Sequence, residues 1–145
     1  MLTEDIAALL TANGFSGSTI CEGFYPGEPD DVITIYEMPG KPPDLYSPCE
    51  YPEIQIRVRS KSYATGRSVS EQIYELLHGQ ANVKLGPGQT WYLLIAALHQ
   101  PQPIGRDQLL RAEFFCNFRT IKERTCSLQL GGIASPSALG APDSM

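Results

Sequence analysis

The chain has 145 residues, 42% of them hydrophobic and 19% charged. That is the length of one domain large enough to bury a core without disulfides or metals. A net charge of −5 argues against a generic nucleic-acid binder, which carries a basic balance, and no run reaches the ~18 apolar residues a bilayer span needs.

Its start, "MLTEDIAALLTANG", has acids where a secretory signal has lysines, so the chain is expected in the cytoplasm. Here a first helix is predicted over 4–13. Thr3 can cap it, Glu4 and Asp5 suit its positive end, and Asn13-Gly14 can stop it. Leu2, Ile6, Leu9 and Leu10 share one side. Residues 14–30 read as loop, with turn chemistry in "YPGEPD". The acids Glu28, Asp30 and Asp31 do not have the spacing of a calcium loop and read as a solvated turn.

"DVITIYE" (31–37) is rich in β-branched residues and reads as the first strand. Residues 38–52, "MPGKPPDLYSPCEYP", hold five prolines and read as a long loop, which a small domain seldom keeps without a use. Prolines stiffen a loop and tyrosines offer contact area with few rotamers. The segment therefore reads as a stiff arm for a neighbouring molecule, or as an Ω-like loop folded on its own domain. "EIQIRVRS" (53–60) is a strand with Ile54, Ile56 and Val58 on one face and Gln55, Arg57 and Arg59 on the other.

A second helix is predicted over 68–78. "SVSE" is a capping box, Val69, Ile73, Leu76 and Leu77 form the stripe, and Gly79 stands where a terminal glycine belongs. "LGPGQ" (85–89) is a turn. "TWYLLIAAL" (90–98) is apolar on both faces and reads as a central strand. "LLRAEFFCNFRTI" (109–121) reads as a fourth, with Ala112, Phe114, Cys116 and Phe118 inward and Arg111, Glu113, Asn117 and Arg119 outward. The order α-β-β-α-β-β gives an α+β domain over 1–124: a four-stranded, mostly antiparallel sheet with helices packed on it. Residues 125–145, poor in charge and rich in Gly, Ala, Ser and Pro, read as a flexible tail.

Catalytic and cofactor motifs of the familiar kinds do not occur in the chain. Cys21, Cys49, Cys116 and Cys126 form no CxxC pair, so neither a metal site nor a cofactor is expected, and the four read as free thiols. His78 ends a helix. His99 follows a strand and has Asp107 within sequence reach, but nothing in the spacing supplies a general base with a partner. Arg57, Arg59, Lys61 and Arg67 read either as the wet side of a half-covered sheet or as a contact for an acidic partner. No aromatics interleave with them as a base-stacking platform requires.

The stretches "YPEIQIRVRSKSYATGRSVSEQIYELLHG", "YLLIAALHQPQPIGRDQLLRAEFFCNFRT" and "YEMPGKPPDL" resemble a bacteriophage minor capsid protein family, itself similar to the tail-terminator (tail-to-head joining) proteins of long-tailed phages. The resemblance implies a structural, non-enzymatic virion protein. Such a protein closes as a homohexameric ring on the tail tube, stops its growth and docks to the neck or head-closure protein. DNA passes through without specific binding, which an acidic balance suits. It implies a place at the tail end of the virion, after assembly in the host cytoplasm, and no membrane partner. By position, 38–52 is the projecting arm, and the candidate assembly interface is Lys41, Pro42, Pro43, Asp44, Leu45 and Tyr46 with Arg57, Arg59 and Lys61. A head-completion or other neck protein of the same fold is the alternative; a small nucleic-acid-binding module or enzyme is the alternative of another class.

Overall fold

The structure is a computed structural model and describes residues 2–15, 19–43, 45–46 and 48–124. The elements follow as α1 (Leu2–Ala12), β1 (Thr19–Glu22), β2 (Val32–Lys41), β3 (Cys49–Ser60), α2 (Tyr63–Leu77), β4 (Gln80–Leu85), β5 (Thr90–Ala97), β6 (Gln102–Arg106) and β7 (Ala112–Glu123). One sheet runs β1-β2-β3-β7-β5-β4, with β6 also on β7. Among the described residues only β1 and β2 pair in parallel. The α+β class stands, and the four expected strands are β2, β3, β5 and β7. Three more strands correct the four-stranded picture. The tail at 125–145, with Cys126, lies outside the described residues.

β3 and β7 form the middle of the sheet, in register from Cys49 against Glu123 to Ser60 against Ala112. Their alternation is the one the sequence carries: Ile54, Ile56, Val58, Phe114, Cys116 and Phe118 are all buried. Both helices lie on that face, α2 against β3, β5 and β7, and α1 against β1, β2 and β4. Since β1 and β4 are opposite edges, the sheet must curl for one helix to reach both, as strand twist favours.

Asp5, on α1, shows how that closure is fixed. It is buried, and the Tyr92 hydroxyl donates to its Oδ2 at 2.8 Å. Burial first, then this hydrogen bond, holds the Tyr92 phenol above the ordinary tyrosine range. Gly86, in the β4–β5 turn, has φ +75°, and an added Cβ would run into Asp5 Oδ1. Gly86→Ala should therefore lose about 2–4 kcal/mol, from left-handed strain plus overpacking. Gly79→Ala, at φ +91° with open space around it, should lose only the strain, about 1–2 kcal/mol. Urea unfolding of both would test this; equal losses would mean the turn simply swings off Asp5.

α2 starts earlier than its capping box implies. Ser62, not Ser68, caps it, with its Oγ accepting from the Thr65 amide at 3.4 Å. Ser68 and Glu71 sit inside the helix and take Gln72 and Arg67 as i,i+4 partners. Gly66, inside the helix, is buried where a Cβ would come within 2.7 Å of the Phe114 ring. Its bareness lets the helix approach the sheet, and that packing outweighs its helix propensity.

The second edge of β7 is shared. β5 pairs with residues 118–122 and β6 with 112–115. Between them His99 bridges the break: its Nε2 accepts from the Asn117 amide at 3.2 Å, so the proton sits on Nδ1, 2.7 Å from the Gln100 carbonyl. His78 Nδ1 accepts from the Ala97 amide at 2.9 Å. Both histidines are thus engaged by backbone, and Asp107 binds Arg111 rather than His99. Burial pushes the Cys116 thiol up to about 11. An unfolded chain ionises this group first, so its share of stability is whole below about pH 8.5 and drains as pH climbs toward 11. Cys116→Ala should flatten the alkaline fall of unfolding free energy between pH 9 and 11; identical slopes in the two proteins would refute that.

Candidate assembly surfaces

The proline-rich stretch is not one long loop. β2 continues to Lys41 and β3 begins at Cys49, so 38–41 and 49–52 form a two-stranded ribbon. Its ladder is irregular where Met38 pairs with Glu53 but Lys41 with Tyr51. Pro39 and Pro52 fall at this irregularity, where a missing N–H costs least. Gly40 is required there, because a Cβ would collide with the Tyr51 carbonyl.

Besides the ladder pairs Cys49–Glu123 and Glu50–Lys122, three contacts tie the ribbon to β7 and to Arg124 just past it. The Thr120 hydroxyl donates to the Pro52 carbonyl at 2.8 Å, and the Arg124 amide to the Pro48 carbonyl at 2.7 Å. Lys122 Nζ lies 3.1 Å from Glu50 Oε1. Lys41 Nζ stands 4.9 Å above the Tyr51 ring, a cation–π contact that draws its stem along the ribbon. Beyond this base, Leu45 is 86% and Tyr46 97% exposed. Lys41 and Pro42 are exposed and Pro43 is half-buried; Asp44 lies outside the described residues. Beside the base is a groove of about 460 Å³ lined in part by Leu2, Glu37, Met38, Pro42 and Tyr51.

The basic candidates are elsewhere. β3 carries Arg57 and Arg59 toward the end opposite the arm, and Lys61 is exposed just past it. Arg57 is half-buried, donates to Gln55 Oε1 at 2.9 Å, and stacks over Tyr36 and Tyr25. Arg59 does not project into solvent as its alternation suggests: it is 3% exposed. Its guanidinium donates to the carbonyls of Pro26, Pro29 and Asp30 at 2.6, 2.7 and 3.3 Å. Arg111, also expected outward, is buried and donates to the Gly27 carbonyl at 2.6 Å and to Asp107 at 2.8 Å. The cause is the segment joining parallel β1 and β2. It has only residues 23–31 in which to return, shorter than most crossovers, and it folds over the sheet face with its carbonyls turned inward. Two guanidiniums satisfy them, as buried backbone acceptors require. Asp30, expected to be solvated, meets Arg111 at 3.4 Å.

A second exposed apolar group was not legible as a surface. Residues 109–111 are not strand, since β7 starts at Ala112. They belong to a turn at the end opposite the arm, where Leu109 is 66% and Leu110 69% exposed. The sequence signal was the adjacent pair itself: two neighbouring leucines cannot both point inward from one strand.

A family model described as bacteriophage tail terminator protein matches residues 9–124. No curated protein matches the chain. Among matching solved structures is a chain from the virion of a native gene transfer agent particle, similar at a TM-score of 0.64 with 15% sequence identity, over 85% of this chain and 95% of that one. That likeness concerns the fold. The family match runs from inside α1 through the last strand, taking in the whole sheet, the arm and the opposite turn, so the chain belongs to the bacteriophage tail terminator family and is a tail-associated structural protein of the virion.

Proposed function

We propose that this protein ends the growth of the tail tube and joins tail to head, working as a homohexameric ring through which DNA passes without specific binding. The observation that carries the reading is the arm. Its base is bonded at Pro52 to Thr120 and at Pro48 to Arg124, while its tip presents Leu45 and Tyr46 to solvent. An apolar tip on a braced support is what a docking element needs, because little conformational freedom is lost on contact. Lys41, Pro42, Pro43, Asp44, Leu45 and Tyr46 are assigned to contact with the tube protein or a neighbouring subunit. Arg57 and Lys61 are assigned to the opposite end, facing the next subunit or the neck protein. Arg59 supports that end from beneath by holding residues 26–30.

The test is electron microscopy of particles assembled without the gene. Overlong tails, or finished tails unattached to filled heads, are expected. Leaking heads beside tails of normal length would overturn the reading in favour of head completion.

A further inference from the structure

The turn at 107–111 is built for rigidity. Asp107 Oδ1 accepts from the amides of Leu109 and Arg111 at 3.0 and 2.9 Å, and Asp107 Oδ2 from Arg111 Nε at 2.8 Å. Arg106 donates to the Leu110 carbonyl at 2.6 Å. Leu110 itself sits at φ +63°, a conformation that suits glycine or asparagine and strains a leucine. A strained, exposed leucine in a fixed turn marks a place where the side chain has a use outside its own fold. Ile104, on the adjoining strand β6, is exposed too, so the group is an apolar knob with Arg106 at its flank.

At the far end of the sheet is its complement. The groove beside the arm base is lined by Leu2, Met38, Pro42 and Tyr51 and by the charged Glu37, Lys41, Glu50 and Lys122. Lys122 is already paired with Glu50 and Lys41 lies over the Tyr51 ring; among the described residues no cation pairs with Glu37. Knob and groove lie at opposite ends of the β3–β7 pair, which spans roughly 35 Å at ~3.3 Å per residue. One chain cannot bring its own two ends together.

We infer that the 107–111 turn of one subunit seats in the arm-base groove of a second copy of this chain, with Arg106 meeting Glu37. The contact is heterologous, so each copy keeps one free knob and one free groove, and repetition closes a ring or extends a filament. Apolar burial supplies the adhesion and the single charge pair sets the orientation. The inference deepens the ring reading above and rests on it.

Sedimentation velocity of the full chain across a concentration series tests it. Wild type should self-associate. Leu109→Asp with Leu110→Asp should stay monomeric with an unchanged circular dichroism spectrum. Glu37→Arg and Arg106→Glu should each weaken association tenfold or more, and the two together should restore it. Mixing the Leu109→Asp, Leu110→Asp chain with a Glu37→Arg, Met38→Asp chain should give 1:1 dimers and nothing larger, since only one contact can form. The inference is overturned if the leucine variants assemble like wild type, if the charge swap restores nothing, if the mixture stays monomeric, or if wild type is monomeric throughout. Should the leucine variants assemble normally and still complement particles lacking the gene, only this contact is lost. A wild-type chain that neither self-associates nor complements such particles would remove the terminator reading as well.

Discussion

Phe118→Ala should remove about 3–5 kcal/mol of stability, the range for deleting a fully buried aromatic side chain. Phe118 is completely enclosed at the crossing point of the fold, opposite Ile54 on β3 and Ala97 on β5. Neighbours held by two strand ladders cannot collapse into the space it would leave, so the cavity cost should be near its upper range. A domain of this size has roughly 5–15 kcal/mol in all, so the variant should unfold at a much lower urea concentration with its m-value unchanged. Phe115 alternates onto the other face, half-buried with its ring edge-on to His99 at 5.2 Å. Phe115→Ala should lose no more than about half as much. A loss below ~1 kcal/mol for Phe118→Ala would mean the two faces have been assigned wrongly.

The arm tip should behave in the opposite way, with a large effect on assembly and almost none on folding. Leu45→Ser combined with Tyr46→Ser changes two side chains that touch little of their own subunit, so unfolding free energy should stay within ~0.5 kcal/mol of wild type. A tyrosine at the centre of an interface typically contributes ~2 kcal/mol or more, about a thirtyfold change in affinity. The double variant should therefore fail to restore normal tails in particles lacking the gene, while reaching wild-type levels as a folded protein. Restoration at wild-type efficiency would remove the arm from the assembly reading. Substitution is a cleaner experiment than deleting residues 40–50. Deletion would also take Glu50 from Lys122 and Cys49 from its place opposite Glu123.

The elements legible in the amino-acid order are those whose evidence is local. Ile54, Ile56 and Val58, then Phe114, Cys116 and Phe118, alternate along their own strands and need no distant partner to show which face is buried. The α2 stripe of Ile73 and Leu77 and the stop at Gly79 are equally local. The stretches that carry the family likeness include these strands and this helix.

What was hidden depends on residues far away in the chain. β1, β4 and β6 are short, poor in alternation, and strands only because a neighbour offers an open edge; β6 contains Pro103 and is exposed throughout. The arm was invisible as a ribbon because its strands carry Pro39 and Pro52, three more prolines lie between them, and it is steadied by Thr120 and Arg124, some seventy residues on. Arg59 and Arg111 read as surface charges until residues 23–31 fold over them and turn carbonyls to their guanidiniums. α2 begins at the Ser62 cap rather than at Ser68, and the turn this adds holds Gly66, whose bareness lets it lie against Phe114. Periodicity is written in neighbouring residues, whereas burial of a charge, pairing of an edge and exposure of Leu109 and Leu110 are properties of segments that meet only when the sheet has formed.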